Sequence, residues 1–182
     1  PSVKREKGLL ALLPGSRADE ITRHKNTFIK AASLVDWAKR VVVSDPFGIV
    51  GKLPPGIERD CKEGGALLER CQKALVASGT ALQEAVVRGT PAVAAYKGSP
   101  LLWAWIKLGQ KAPPYWTHPN LMAGDEIVPE FIQGRATADA LAEALMRSET
   151  EKERRILESL AHAYREGSDW EVEVSRWRRS LR

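Results

Sequence analysis

Leu75-Val76-Ala77-Ser78-Gly79-Thr80-Ala81-Leu82-Gln83-Glu84 begins as an apolar run, breaks at small residues and continues in good helix formers. The pattern reads as a buried strand, a tight turn and a helix start. Ser78 is placed to cap the helix, and Gly79 lets backbone N–H groups approach a ligand closely. An open helix N-terminus favours an anion, above all a phosphate. Glu84 falls one to two turns further on, where a carboxylate repels phosphate but can accept two hydrogen bonds from a ribose diol. The unit fits the diphosphate and ribose of a nucleotide. An ordinary strand-to-helix turn with a capping serine has the same form, and this stretch alone does not separate the two.

A second unit of the same kind lies near the start. Gly8-Leu9-Leu10-Ala11-Leu12-Leu13 is wholly apolar, as expected of a strand covered on both faces. Pro14-Gly15-Ser16-Arg17 ends it. Ala18-Asp19-Glu20-Ile21 then opens a helical pattern predicted over 18–38, with Ile21, Phe28, Ile29, Ala32 and Val35 roughly on one face. Gly15 and Ser16 can present backbone amides, and Arg17 adds a charge that can fork onto phosphate oxygens. Two such turns suit neighbouring strands of one parallel sheet, whose ligands bind at the carboxyl ends of the strands.

Four blocks now carry a resemblance. Leu12-Leu13-Pro14-Gly15-Ser16-Arg17-Ala18-Asp19-Glu20-Ile21 resembles the Leu-Pro-Gly-Ser-Arg…Glu-Ile motif of the lipid-A-disaccharide synthase family. Ala77-Ser78-Gly79-Thr80-Ala81-Leu82-Gln83-Glu84-Ala85 is similar to its Ser-Gly-Thr-Ala…Glu-Ala. Ala95-Tyr96-Lys97-Gly98-Ser99-Pro100-Leu101 is similar to its Ala-Tyr-Lys/Arg…Ser-Pro-Leu. Pro119-Asn120-Leu121-Met122-Ala123-Gly124 and Glu126-Ile127-Val128-Pro129-Glu130-Phe131-Ile132-Gln133 resemble its Pro-Asn-Leu…Ala-Gly-Arg-Glu-Val-Val-Pro-Glu-Leu-Leu-Gln. The blocks stand in family order across most of residues 8–145.

The family is a two-domain glycosyltransferase of the GT-B type, and the resemblance covers its C-terminal, donor-binding half. It implies transfer of a diacylglucosamine unit from UDP to a lipid-linked glucosamine phosphate in lipid A biosynthesis. It implies a UDP-sugar site drawn from Gly15, Ser16, Arg17, Ser78, Gly79, Thr80, Glu84, Asn120 and Gln133. No cofactor or metal is implied. The catalytic base is expected in the N-terminal half, so this chain alone is expected to be inactive. Implied partners are the lipid-linked acceptor, the chain's own N-terminal half and an inner-membrane surface on the cytoplasmic side. Asp125 stands where the family usually has Arg, a reversal that puts donor geometry or substrate in question. Other readings are another UDP-sugar transferase or epimerase of the same fold, or a non-catalytic nucleotide-binding module.

Composition sets the bounds. A chain of 182 residues, 43% hydrophobic and 28% charged, suits one globular domain with a real core. No run approaches the ~20 apolar residues of a membrane span. The net charge of +5 fits anionic ligands without choosing among them. Nucleic acid is disfavoured by the lack of a recognised motif or a one-faced basic stripe. Cys61 and Cys71 read as free thiols, since their spacing matches no metal or redox motif.

Strands are predicted at 8–13, 40–44, 57–61, 74–77 and 91–96, and helices at 66–71, 80–88 and 137–146. Residues 1–7 read as a polar linker, and 45–56 and 113–120 as loops. The alternation argues for an α/β, Rossmann-like, doubly wound parallel sheet with C-terminal helices. A Trp-rich helix after Pro100 reads as buried, with docking at a membrane interface as the other reading. Residues 1–168 are taken as the UDP-sugar-binding domain. Residues 169–182 are taken as an amphipathic helix packing outside it, against the N-terminal half or in a homodimer, with Trp170, Val174, Trp177 and Leu181 as its stripe.

Overall fold

The computed structural model describes residues 5–62, 64–98 and 114–166. The expected Trp-rich helix after Pro100 and the amphipathic segment 169–182 lie outside the described residues. Strands β1 (Glu6–Leu13), β2 (Arg40–Ser44), β3 (Ile57–Asp60), β4 (Cys71–Ala77), β5 (Ala92–Tyr96) and β6 (Glu130–Ile132) form one sheet of order β3-β2-β1-β4-β5-β6. Every neighbouring pair is parallel. The helices are α1 (Ala18–Ser33), α2 (Gly64–Arg70), α3 (Thr80–Val87), α4 (His118–Ala123), α5 (Ala138–Met146) and α6 (Glu151–Glu166). This is the doubly wound α/β sheet that the strand–helix alternation predicts.

The central strands are apolar throughout because both of their faces are covered. Leu9, Ala11 and Leu13 of β1 join Val76 of β4 in a core with α2, α3 and α6. Leu10 and Leu12 point to the other face, with Leu75, and meet Phe28 of α1 and Leu141 and Leu145 of α5. Each fully buried Leu or Phe contributes on the order of 1.5–3 kcal/mol by leaving water. Helix α1 buries Ile21, His24, Phe28, Ala31 and Ala32, one stripe at helical spacing.

Several predicted boundaries move. Helix α1 ends at Ser33, not 38. A parallel return needs a loop before β2, and residues 34–39 supply it. There the Trp37 indole N–H donates to the Leu145 carbonyl at 3.3 Å and the Lys39 amide donates to the Gly8 carbonyl at 2.9 Å. Strand β4 starts at Cys71 because that residue pairs with Glu6, so α2 is Gly64–Arg70 instead of 66–71.

The expected linker at 1–7 is partly structural. Glu6 and Lys7 belong to β1, and the Arg5 guanidinium donates to the carbonyls of Leu68, Cys71, Arg88 and Gly89. One cation thus serves the open carbonyl ends of α2 and α3 together, where positive charge is favoured. The expected loop 113–120 contains the start of α4, which closes at Gly124 with φ 63°. Thr137 caps α5 as expected, its Oγ1 accepting the Ala140 amide. Among the described residues no helix is long and apolar enough to cross a membrane.

Candidate functional site

Chain order reverses between β1 and β4 in the sheet, which opens a crevice at their carboxyl ends. A cleft of about 330 Å³ lies there. Leu13, Ser44 and Ala77, the last residues of β1, β2 and β4, form part of its wall. Gly15, Ser16 and Arg17 enter from the first turn, and Ser78, Gly79, Thr80 and Glu84 from the second. The two turns quoted from the sequence therefore share one cavity.

The second turn is built on the sheet. The Ser78 amide donates to the Ala95 carbonyl at 2.8 Å, so Ser78 still pairs with β5 and is not the cap predicted for α3. That position belongs to Gly79, with φ 151° and ψ −149° and no side-chain cap bond. Glycine alone adopts this conformation readily. A Cβ at Gly79 would meet nothing within 4 Å, so the backbone there borders open space. The Gly79, Thr80 and Ala81 amides meet no acceptor among the described residues, which leaves an open donor set at the N-terminus of α3. Glu84 lies one turn inside α3, half exposed, with its carboxylate 3.7 Å from Arg88 Nη1.

The first turn is arranged differently. Arg17 is the N-cap of α1, and its side chain is 80% exposed. The Ser16 amide donates to Glu20 Oε2 at 3.1 Å, and Glu20 Oε1 is 4.0 Å from Arg17 Nη1. This resembles half of a capping box, shifted one residue outward. Sequence reasoning missed Glu20, although an acid in the first helical turn is the usual sign of such a contact.

Asn120 does not line the cleft. It is fully buried in α4, where its Nδ2 donates to the Val128 carbonyl and to Glu130 Oε2, and its Oδ1 accepts the Ile127 and Val128 amides. The amide has spent its hydrogen-bonding capacity inside the protein. Glu130 completes this lock. The residue is 8% exposed, and its carboxylate also accepts the Trp116 and Thr117 amides at 2.9 Å and so caps α4 from the edge strand. The sequence signals for Glu130 are its place in the fourth family block and an acid flanked by the apolar pairs Ile127-Val128 and Phe131-Ile132.

Gln133 follows β6 with φ 53°, beside Gly98, and stands outside the cleft at the carboxyl end of the sheet. Asp125 also stands outside it. Its carboxylate is held by Lys152 at 2.6 Å, and that hydrogen bond keeps it below the usual carboxylate range.

His24 joins α1 to the exit of β5. It is 2% exposed, with Nδ1 2.8 Å from the Glu20 carbonyl, and Nε2 accepts the Lys97 amide at 3.0 Å. The carbonyl requires a proton on Nδ1 and the amide requires a bare Nε2, so the ring is neutral. Burial pulls its pKa below the ordinary value. Cys61 and Cys71 are free thiols, and burial pushes the Cys71 thiol up to about 12. Among the described residues no group of three His, Cys, Asp or Glu is gathered for a metal. A wider groove of about 750 Å³ lies beside α1 near the first residues of β2 and β3, and neither of the two turns reaches it.

The chain is similar to known proteins in both sequence and fold. A profile described as lipid-A-disaccharide synthetase matches residues 61–178. The lipid-A-disaccharide synthase of Azotobacter vinelandii is 36% identical over 153 residues, 76% of this chain and 40% of the relative. That of Albidiferax ferrireducens is 35% identical over 156 residues, 76% of this chain and 38% of the relative. That of Pseudomonas putida strain W619 is 37% identical over 155 residues, 75% and 39%. The chain therefore spans about 40% of the length of the curated relatives it matches. Two solved glycosyltransferases share the fold at low identity. The spinosyn forosaminyltransferase SpnP has a TM-score of 0.60 at 16% identity, covering 98% of this chain and 44% of its own. The glycosyltransferase VinC, solved in complex with dTDP, has 0.57 at 17%, covering 96% and 42%.

Proposed function

Because this chain belongs to the lipid-A-disaccharide synthase family, we propose that it is the donor-binding part of a GT-B glycosyltransferase that takes a UDP-linked sugar. The observation that carries this reading is the shared cleft at the β1/β4 crevice, with the open amides of the second turn on one side and Arg17 on the other. In it the diphosphate lies across the N-terminus of α3, whose amides and dipole stabilise negative charge. Arg17 swings onto the outer phosphate as the glycosidic bond breaks and charge grows on the leaving UDP. Glu84 accepts from the ribose diol, one turn away from the phosphates. The sugar extends toward Gln133. The finer assignment is transfer of a diacylglucosamine unit to a lipid-linked glucosamine phosphate. The general base and the acceptor site then come from the part of the family's length that this chain does not match, and the chain by itself turns nothing over. Asn120 acts at a distance, by holding the 126–130 segment.

Titration calorimetry with UDP tests the reading, with single-stranded DNA as the contrasting polyanion. The chain is expected to bind UDP and not DNA. Arg17→Ala is expected to weaken UDP by about 1–2 kcal/mol, the value of a charge-assisted contact on an exposed side chain. Glu84→Gln is expected to weaken UDP more than 2′-deoxy-UDP. Equal UDP affinity in the wild type and both variants refutes the assignment.

A further inference from the structure

Glu20 stands where the ligand's charge would have to go. Its Oε2 accepts the Ser16 amide at 3.1 Å, and its Oε1 is 4.0 Å from Arg17 Nη1. A phosphate entering the first turn would recruit the same backbone donor and the same guanidinium, and both already face a carboxylate. The place is reserved sterically. A Cβ at Gly15 would fall 2.7 Å from Glu20 Cβ and 2.8 Å from its Oε2, so a residue other than glycine would push the carboxylate out. The Gly15 φ of 126° adds a torsional reason for the same residue.

Glu20 is also free to leave. Its side chain is 33% exposed, so it can rotate into solvent without opening the core. Neither of the other two acids nearby accepts the Ser16 amide. Asp19, in the same helical turn, bonds Arg23 at 2.5 Å, and Glu84 faces Arg88 on its own helix.

We propose that Glu20 is an internal placeholder for a donor phosphate. In the empty cleft it occupies the Ser16 amide and keeps Arg17 close to the turn. The incoming diphosphate displaces it and inherits both partners, and on release the carboxylate returns. The inference rests on the donor-site reading above and adds selectivity to it. A neutral nucleoside carries nothing that can displace a carboxylate, whereas a diphosphate does. The observed affinity is the intrinsic affinity reduced by the fraction of molecules in which Glu20 is already out of the way.

Calorimetry on the 182-residue chain with uridine, UMP and UDP tests it. Glu20→Gln removes the competing charge, so UDP is expected to bind roughly three- to tenfold more tightly, with uridine unchanged. Asp19→Asn removes a charge from the same turn without touching the Ser16 amide, and UDP is expected to stay within about twofold of wild type. UDP that binds the wild type but binds Glu20→Gln no better overturns the placeholder and leaves the donor site standing. An equal gain in Asp19→Asn also overturns it, because the effect is then general charge. Failure of the wild type and Glu20→Gln alike to bind UDP overturns both readings. The Ser16 amide resonance gives a second readout. It is expected to move on UDP addition and to shift in Glu20→Gln alone, and a resonance that stays fixed through UDP saturation refutes the exchange.

Discussion

Gly79→Ala separates the cost of the turn from the use of the turn. The residue sits at φ 151° and ψ −149°, a region reserved for glycine, and a non-glycine residue held there costs about 1–3 kcal/mol. No steric charge is added, since a Cβ at that point meets nothing within 4 Å. The loss should therefore be torsional alone and leave the core intact. Urea denaturation is expected to show a stability loss of about 1–3 kcal/mol with an unchanged m-value. Relief of the strain rotates the 78–80 backbone, and that rotation turns the Thr80 and Ala81 amides away from the cleft. UDP is then expected to weaken by about tenfold or more, the loss of at least one charge-assisted backbone contact. Gly56→Ala is the control. It also has positive φ, at 84°, and an added Cβ there would meet nothing within 4 Å, but it lies one residue before β3, away from the cleft. It is expected to cost about 1–2 kcal/mol and to leave UDP affinity alone. If Gly79→Ala is destabilised as expected yet binds UDP like the wild type, the α3 N-terminus is not the phosphate site. If its stability stays within about 0.5 kcal/mol of wild type, the torsional argument itself is wrong.

Two further outcomes follow from buried groups. Asn120→Ala leaves the Ile127 and Val128 amides and the Val128 carbonyl without their partner, and is expected to cost about 2–4 kcal/mol in urea denaturation. UDP affinity of the folded fraction should fall far less than in Arg17→Ala, and the opposite ranking would restore Asn120 as a direct donor contact. For His24 the folded pKa is depressed, so its contribution is complete above the unfolded value of about 6.5 and is lost as pH falls from there through the depressed folded value. The urea midpoint of the wild type should drop more steeply between about pH 7 and pH 5 than that of His24→Gln, and parallel curves would refute the neutral-ring assignment.

What was legible in the sequence was local. Strand-turn-helix units at Leu9–Ile21 and Leu75–Glu84 announce themselves through apolar runs, small turn residues and helix formers, and the structure brings both turns to one cleft. What was illegible depends on partners distant in the chain. The role of Arg5 is decided by carbonyls more than sixty residues away, and no periodicity encodes that. The sequence suggests a loop and a donor-site role for Asn120, because its partners at 127–130 become partners only when β6 lies beside α4. The local capping rule points to Ser78, but its hydrogen bond to Ala95 is a sheet contact and takes precedence. In the sequence Glu20 is only part of a helical pattern and a family motif. Its function as an acceptor depends on the fold of the turn before it, which a missing Cβ at Gly15 makes room for.

These placements divide the cleft into a fixed part and an adjustable part. The amides at Gly79, Thr80 and Ala81 are held by backbone that continues a buried sheet, through the Ser78 bond to β5 and the buried side chains of β4. That geometry is set before any ligand arrives, as the proposed stabilisation of a leaving diphosphate requires. The formal charges sit elsewhere, on Arg17, Glu20 and Glu84, at 80%, 33% and 49% side-chain exposure. None of the three is locked by burial, so each can change partner at little structural cost. Substitutions in the frame, such as Gly79→Ala or Asn120→Ala, should therefore appear first as lost stability. Substitutions among the charges should appear first as changed affinity with stability nearly constant. A charge variant that destabilised the chain by more than about 1 kcal/mol would break this division and would mean that the cleft is assembled by its side chains rather than by the sheet beneath it.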